Sequence, residues 1–288
     1  MSAEGDAAAG GRASGPGSGV AAGREASGPV RGGASGFESG AGVGGERRGP
    51  GARAGSSITV RGVWKFFGDF AALRDINLEV PAGATLALLG RNGAGKTTLL
   101  RMLGALGSPS RGTITLGGET LRDSAQRRRI GAIGHAIWIY DDLTAAENLR
   151  FFAALYGIRA AEAQIGQWLE KTGLERVRDR LAREFSRGMR QRLAIARAFF
   201  HDPEILLLDE PFTALDDRAA ALLSGLIGQA HARGCTAIIS THQLREALAL
   251  ATEVAVLDRG RLAFRGPNTE ELRAAPEDFY RKYTEPGA

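Results

Sequence analysis

Cysteine is almost missing from this chain. Cys235 is the only one in 288 residues, which excludes an internal disulfide and points to a reducing, cytoplasmic setting. Its place just before Ala237-Ile238-Ile239 predicts a small core side chain. No apolar run approaches the roughly 18–20 residues that a membrane-spanning helix needs, so work at a membrane would leave the spanning to another chain. No apolar segment follows the first charges, and a secretory leader is thereby excluded. A large charge of one sign is absent too. The formal net charge of +5 is compatible with an anionic membrane surface or nucleic acid and demands neither.

Apolar side chains are also scarce over residues 1 to about 56, where Gly, Ala, Ser and Arg dominate, as in Gly40-Ala41-Gly42-Val43-Gly44-Gly45. Too little can be buried there to offset the entropy of ordering, so 1–56 is expected to be a disordered tail. A basic tether to anionic lipid and an over-extended translation start are the other readings. The remainder, 57–288, is long enough for one domain with a sizeable core.

The stretch that organises the rest is Gly90-Arg91-Asn92-Gly93-Ala94-Gly95-Lys96-Thr97-Thr98. An apolar run, Leu86 to Leu89, precedes it and Leu99 to Leu103 follows, so strand, glycine-rich loop and helix come in order. This is the spacing of a P-loop. Glycines let backbone N–H groups turn inward around phosphate oxygens, Lys96 reaches the β- and γ-phosphates, and the Thr97 hydroxyl is a Mg²⁺ ligand. The start of the next helix adds its positive dipole end.

Before that loop, Ile58-Thr59-Val60, a piece around Val63 to Gly68 with Phe70 to Leu73, and Ile76 to Val80 read as a small antiparallel sheet. Phe67 is either core or a ring on which a base stacks. After the loop, Gly112 to Leu116 and Ile130 to Gly134 are strand candidates. From Thr144 the period changes. Thr144-Ala145-Ala146-Glu147 is a capping box, the helix carries Leu149, Phe152, Ala153 and Tyr156 on one face, and it stops at Gly157. A second helix over about 161–171 carries Ile165, Trp168 and Leu169. The two form a helical insert, about 137–186, whose aromatic stripe is read as core.

Glu204-Ile205-Leu206-Leu207-Leu208-Asp209-Glu210 is a buried parallel strand with two carboxylates at its C-terminal end, where ligands gather in α/β sheets. Asp209 suits Mg²⁺, directly or through water, and Glu210 suits the orientation or deprotonation of an attacking water. Ser186 is a natural N-cap for the helix from Arg187 through Ala198. His242 ends the apolar strand Ile238-Ile239-Ser240-Thr241 and is placed to sense a γ-phosphate.

Together these motifs resemble the ATP-binding cassette (ABC) ATPases of membrane transporters, over about 57–285. The resemblance implies an α/β P-loop NTPase of the ABC type, with a mostly parallel core sheet flanked by helices, an N-terminal antiparallel β subdomain and an inserted α-helical subdomain. It implies ATP and Mg²⁺ as ligands. Gly90, Asn92, Gly93, Gly95, Lys96, Thr97 and Thr98 look like its Walker A loop. Asp209 and Glu210 look like Walker B with the catalytic glutamate, Ala214-Leu215-Asp216 like the D-loop and His242 like the switch histidine. Phe67 is similar to the aromatic that stacks on adenine, and Ser186-Arg187-Gly188-Met189 resembles the signature Ser-Gly-Gly-Gln with two substitutions. In the family two chains sandwich two nucleotides head to tail, so Ser186 and Gly188 of one copy would face the phosphate held by Lys96 of the other.

The family usually has a glutamine after the strand that here ends at Gly134. This chain has His135-Ala136, and His135 is the expected substitute. The phrases Gly134-His135, Tyr140 to Phe151, Glu210 to Asp216 and Thr241-His242-Gln243 are further similar to the haem exporter ATP-binding subunit of cytochrome c biogenesis. The resemblance thus implies an ATP hydrolase that pairs with itself, or with another cassette, and with a multi-span membrane permease, at the cytoplasmic face of a bacterial inner membrane. Nucleic acid is not an expected partner. The other readings are the ATPase of a drug, lipid or polysaccharide exporter, and a soluble non-transport cassette ATPase or regulator.

Overall fold

The structure is a computed structural model that describes residues 55–121, 124–134, 138–213 and 215–284. The tail proposed for 1–56, apart from its last two residues, lies outside them, as does His135. All described residues belong to one unit, Arg48–Ala288. Gly55 and Ser56 already dock on it: Gly55 N–H donates to Gly234 O at 2.9 Å and Ser56 Oγ to Glu204 Oε2 at 2.8 Å.

The first sheet is antiparallel, ordered β2-β1-β4-β5, with β1 Ile58–Phe67, β2 Phe70–Val80, β4 Arg111–Leu116 and β5 Glu119–Thr120. The short pieces expected between 58 and 80 are two long strands paired along their whole length, and the register shifts near Val60, Val63 and Lys65. Those irregularities break the alternation of apolar residues without ending the ladder, because a bulge bends a strand and leaves its pairing intact.

The second sheet has six strands in the order β10-β9-β3-β8-β7-β6. These are β3 Thr85–Leu89, β6 Ile130–Ile133, β7 Ile205–Asp209, β8 Thr236–Ser240, β9 Glu253–Asp258 and β10 Arg261–Pro267. All neighbours run parallel except β9 and β10. Every residue of β3, β7 and β8 is buried, as continuous apolar runs dictate for strands covered on both faces.

The helices are α1 Lys96–Leu103, α2 Ser124–Arg127, α3 Ala145–Tyr156, α4 Glu162–Lys171, α5 Arg187–Phe199, α6 Asp217–Ala232, α7 Leu244–Leu250, α8 Glu270–Ala274 and α9 Pro276–Thr284. One core cluster joins the antiparallel sheet to α1 and the inner face of the parallel sheet; a second lies beneath α5, α6 and α7. A third, with Leu149, Ala153, Ile165, Leu169 and Leu193, binds α3 and α4 to α5. Cys235 is buried in the second cluster, and burial pushes its thiol up to about 12. That makes it core, with no thiolate for chemistry.

The capping box forms as spelled. Thr144 Oγ1 accepts from Glu147 N–H at 3.2 Å, Glu147 Oε2 accepts from Thr144 N–H at 2.8 Å, and Gly157 closes α3 at φ 73°. Replacing Thr144 with Ala removes one cap and frees its partner. The expected loss is about 1 kcal/mol of stability, read as a lower urea midpoint at unchanged slope.

Candidate active site

The phosphate loop joins β3 to α1 at the C-terminal edge of the parallel sheet. A side chain at Gly90 would place its Cβ 2.4 Å from Leu257 O on β9, so only glycine lets the loop leave β3 beneath that neighbour. Gly95 caps α1 at φ 108° without a side-chain partner, and the first turn of α1 holds no acidic residue. Its free N–H groups and dipole end are therefore open to an anion.

Lys96 folds back over its own loop. Its Nζ donates to Gly90 O at 2.7 Å and to Arg91 O at 3.3 Å, and only 6% of the residue is exposed. Among the described residues no ion pair within 4.0 Å involves it. Burial lowers its pKa, and the carboxylates of Glu210 and Asp209 oppose that shift. A buried ammonium bonded only to carbonyls fits a site for added negative charge. Thr97 is exposed and Thr98 half-buried on the first turn of α1.

Two carboxylates face this loop from the end of β7. Asp209 Oδ2 accepts from Thr97 Oγ1 at 2.8 Å, while Ser240 Oγ donates to Asp209 Oδ1 and fixes the carboxylate from behind. Glu210 follows at φ 51°, a left-handed conformation that costs a non-glycine residue on the order of 1 kcal/mol or more. Its N–H is held by Ser240 O at 2.8 Å. That turn swings its side chain to the segment after β8, where Oε2 accepts from Thr241 Oγ1 at 3.2 Å and lies 2.8 Å from His242 Nδ1. With the carboxylate ionised, a protonated Nδ1 donates. The two expected catalytic residues are thus in contact, 32 positions apart in the chain.

A cleft of about 490 Å³ opens here. Gly90, Arg91 and Asn92 form one side, Glu210 and His242 another, and Tyr280 of α9 a third. Sequence reasoning missed Ser240 and Thr241 as supports of the carboxylates, although the pair of hydroxyls directly before the histidine was a usable signal. It also missed Tyr280, for which no motif exists.

The other expected residues sit apart from the cleft. Phe67 ends β1 with 58% of its surface exposed, beside Phe70 at 63%, which overturns the core reading and leaves a free ring. Lys65 Nζ lies 5.4 Å from that ring. Ser186 caps α5, its Oγ accepting from Met189 N–H at 3.3 Å, and neither Ser186 nor Gly188 lines the cleft. Gln191 Nε2 donates to Thr213 O at 2.8 Å and so ties α5 to the loop after Glu210. Asp216 caps α6, with Oδ1 accepting from Ala219 N–H at 2.7 Å.

On the far side of Thr97 and Asp209 lies a second cavity of about 720 Å³. It runs between α1, β6 and α3, is walled by Leu100, Trp138, Phe152 and Leu155, and has Arg127 and Arg128 among its lining residues. Trp138 is 41% and Leu155 50% exposed. Arg197 lies buried in its wall, its guanidinium 5.5 Å from the Trp138 ring and 5.1 Å from that of Phe152.

The model of the ABC transporter family matches residues 73–213. ABC transporter ATP-binding protein NatA of Bacillus subtilis (strain 168) is 40% identical over 200 residues, which cover 68% of this chain and 81% of NatA. The chain belongs to the ATP-binding cassette family. It is an ABC-type ATPase, binding and hydrolysing ATP. Sulfate/thiosulfate import ATP-binding protein CysA of Mycolicibacterium paratuberculosis is 38% identical over 231 residues, covering 79% of this chain and 64% of CysA. The cassette thus spans just under two thirds of that relative. A solved dimeric ATP-binding cassette in a post-hydrolysis state, bound to ADP and Pi, superposes with a TM-score of 0.67 at 26% identity, covering 74% of this chain and 99% of that one. The expected architecture of two sheets with a helical insert is the one observed. No helix among the described residues is long and apolar enough to cross a membrane.

Proposed function

We propose that this cassette, residues 57–288 with its helical insert at about 137–186, is the motor of a membrane exporter. Two copies close head to tail on two ATP molecules. Lys96 and the loop N–H groups of Gly93, Gly95 and Thr98 hold the phosphates of each, Phe67 stacks on the adenine, and Ser186 and Gly188 of the other copy cap the γ-phosphate. Asn92 and Asp216 face the seam between copies. The dimeric state of the solved cassette bound to ADP and Pi supports the pairing.

Thr97 and Asp209 offer a hydroxyl and a carboxylate to a hard cation. Among the described residues no cluster of three or more His, Cys, Asp or Glu side chains is built to hold a metal. Two protein oxygens with the rest from phosphates and water is the arrangement Mg²⁺ favours. Bound there, the ion neutralises charge on the phosphate oxygens. Glu210 Oε takes a proton from the attacking water as its oxygen bonds to the γ-phosphorus, and the bond to the β-phosphate bridging oxygen breaks to leave ADP and phosphate. His242, held by Glu210, senses the γ-phosphate from the same side. His135 stands in for the usual glutamine.

The observation that carries the permease reading is the cavity behind the site, apolar on one wall and lined by arginines on others. Its exposed Trp138 and Leu155 suit a partner segment, and its lining includes Thr97 and Asp209. A segment of a multi-span permease seated there would feel the nucleotide through shared walls. Such a partner places the cassette at the cytoplasmic face of the inner membrane. Affinity capture from solubilised membranes tests this. Wild type is expected to recover a multi-span protein, and Leu155→Asp to recover about tenfold less or lower still while keeping its own ATP turnover. Equal recovery by both would move the interface elsewhere, and recovery of RNA would favour a soluble cassette.

For cargo, the motif phrases after Gly134 and Thr241 support haem export, with a drug, lipid or polysaccharide as the second reading. Neither NatA nor CysA carries haem in its name, and CysA is named as an importer. Disruption of the gene should abolish holo-cytochrome c assembly; normal assembly would discard the haem reading.

A further inference from the structure

Tyr280 lines the phosphate-loop cleft from the C-terminal helix, far in sequence from every nucleotide motif. It reaches the cleft because of how α9 is held. Phe279 and Tyr283, four apart and so on one face of the helix, pack on Phe264 of β10 with ring centroids 4.9 and 5.0 Å from it. A residue one position on is turned by about 100°, so Tyr280, half-buried against the same core, also reaches the cleft lined by Asn92, Glu210 and His242. Arg245 of α7 pairs with Glu277 at 3.6 Å, a second tie between α9 and the segment that begins at His242.

We propose that Tyr280 is a further residue of the triphosphate site, its hydroxyl donating to the terminal-phosphate end. This rests on the assignment of the cleft to ATP. The chemistry of the wall favours it. Arg91, Asn92 and Thr213 supply donors on the other walls, the Glu210 carboxylate is already engaged by Thr241 and His242, and the phenol of Tyr280 adds a donor on a rigid apolar ring. Burial raises the pKa of Tyr280, against the opposing charge of Arg91, so the hydroxyl keeps its proton at neutral pH.

The test uses the full chain, Tyr280→Phe and equilibrium binding of two probes, ADP and the non-hydrolysable β,γ-imido analogue of ATP. Losing a hydrogen bond to a charged oxygen should weaken the triphosphate analogue about tenfold or more and leave ADP within about twofold. Tyr280→Leu, which keeps apolar bulk, should show the same selective loss. Unchanged affinity for both probes overturns the proposal. So does an equal loss for both, which would make Tyr280 a support for the loop. Lys96→Ala separates the two levels: if it weakens both probes while Tyr280→Phe weakens neither, the ATP site stands and only this inference falls.

Discussion

Glu210→Gln should bind ATP, pair with a second copy and hydrolyse almost nothing. The substitution keeps the shape of the side chain and its acceptor oxygen for Thr241 and His242, while removing the charge that accepts a proton. General bases contribute roughly 10²–10⁴-fold to rate, and phosphate release is expected to fall by about that factor. In the proposed cycle hydrolysis opens the dimer, because ATP and its products differ in affinity for closed and open states. A variant that cannot hydrolyse therefore accumulates closed. Size-exclusion chromatography should show a dimer with ATP and a monomer with ADP. The left-handed backbone at Glu210 and its bond to Ser240 O are untouched by the change, so thermal stability should stay near wild type. Equal turnover in both proteins would remove Glu210 from its role.

Lys96→Ala should lose ATP. The ammonium is buried against Gly90 O and Arg91 O, and a nucleotide would replace weak carbonyl partners with charged phosphate oxygens. Hydrogen bonds to charged groups contribute about 1.5–3 kcal/mol each; losing one or two weakens binding by roughly 10²-fold. Titration calorimetry reads this directly. A second reading is the thermal shift, since a ligand stabilises by RT ln(1 + [L]/Kd): ATP should raise the melting temperature of wild type and barely move that of the variant. ATP affinity within twofold of wild type would end the assignment of this loop.

The legibility of the site followed from how local each signal is. The loop from Gly90 to Thr98 could be read because glycine spacing, a preceding apolar run and a following helix are contiguous. The capping box at Thr144 and the stop at Gly157 were legible for the same reason, as their partners lie three or four residues away. The long pairing of β1 with β2 was not, since bulges interrupt the period that would have announced it. Phe67 could not be decided from spacing, because alternation along β1 says which residues share a face and not which face a neighbouring sheet covers.

By itself the amino-acid order determined the chemistry: a lysine and a hydroxyl on a glycine loop, paired carboxylates after an apolar strand, and a histidine after another. Those choices are local and survive any arrangement of the rest. Only the tertiary structure decided that Glu210 and His242 touch, that Ser240 braces Asp209, and that Tyr280 closes the cleft from the end of the chain. Each of those contacts joins residues 30 or more positions apart. Their geometry is set by the order of strands in the parallel sheet, β3 between β8 and β9 with β7 beyond. Strand order is a property of packing many buried faces at once, and no short stretch of sequence contains it.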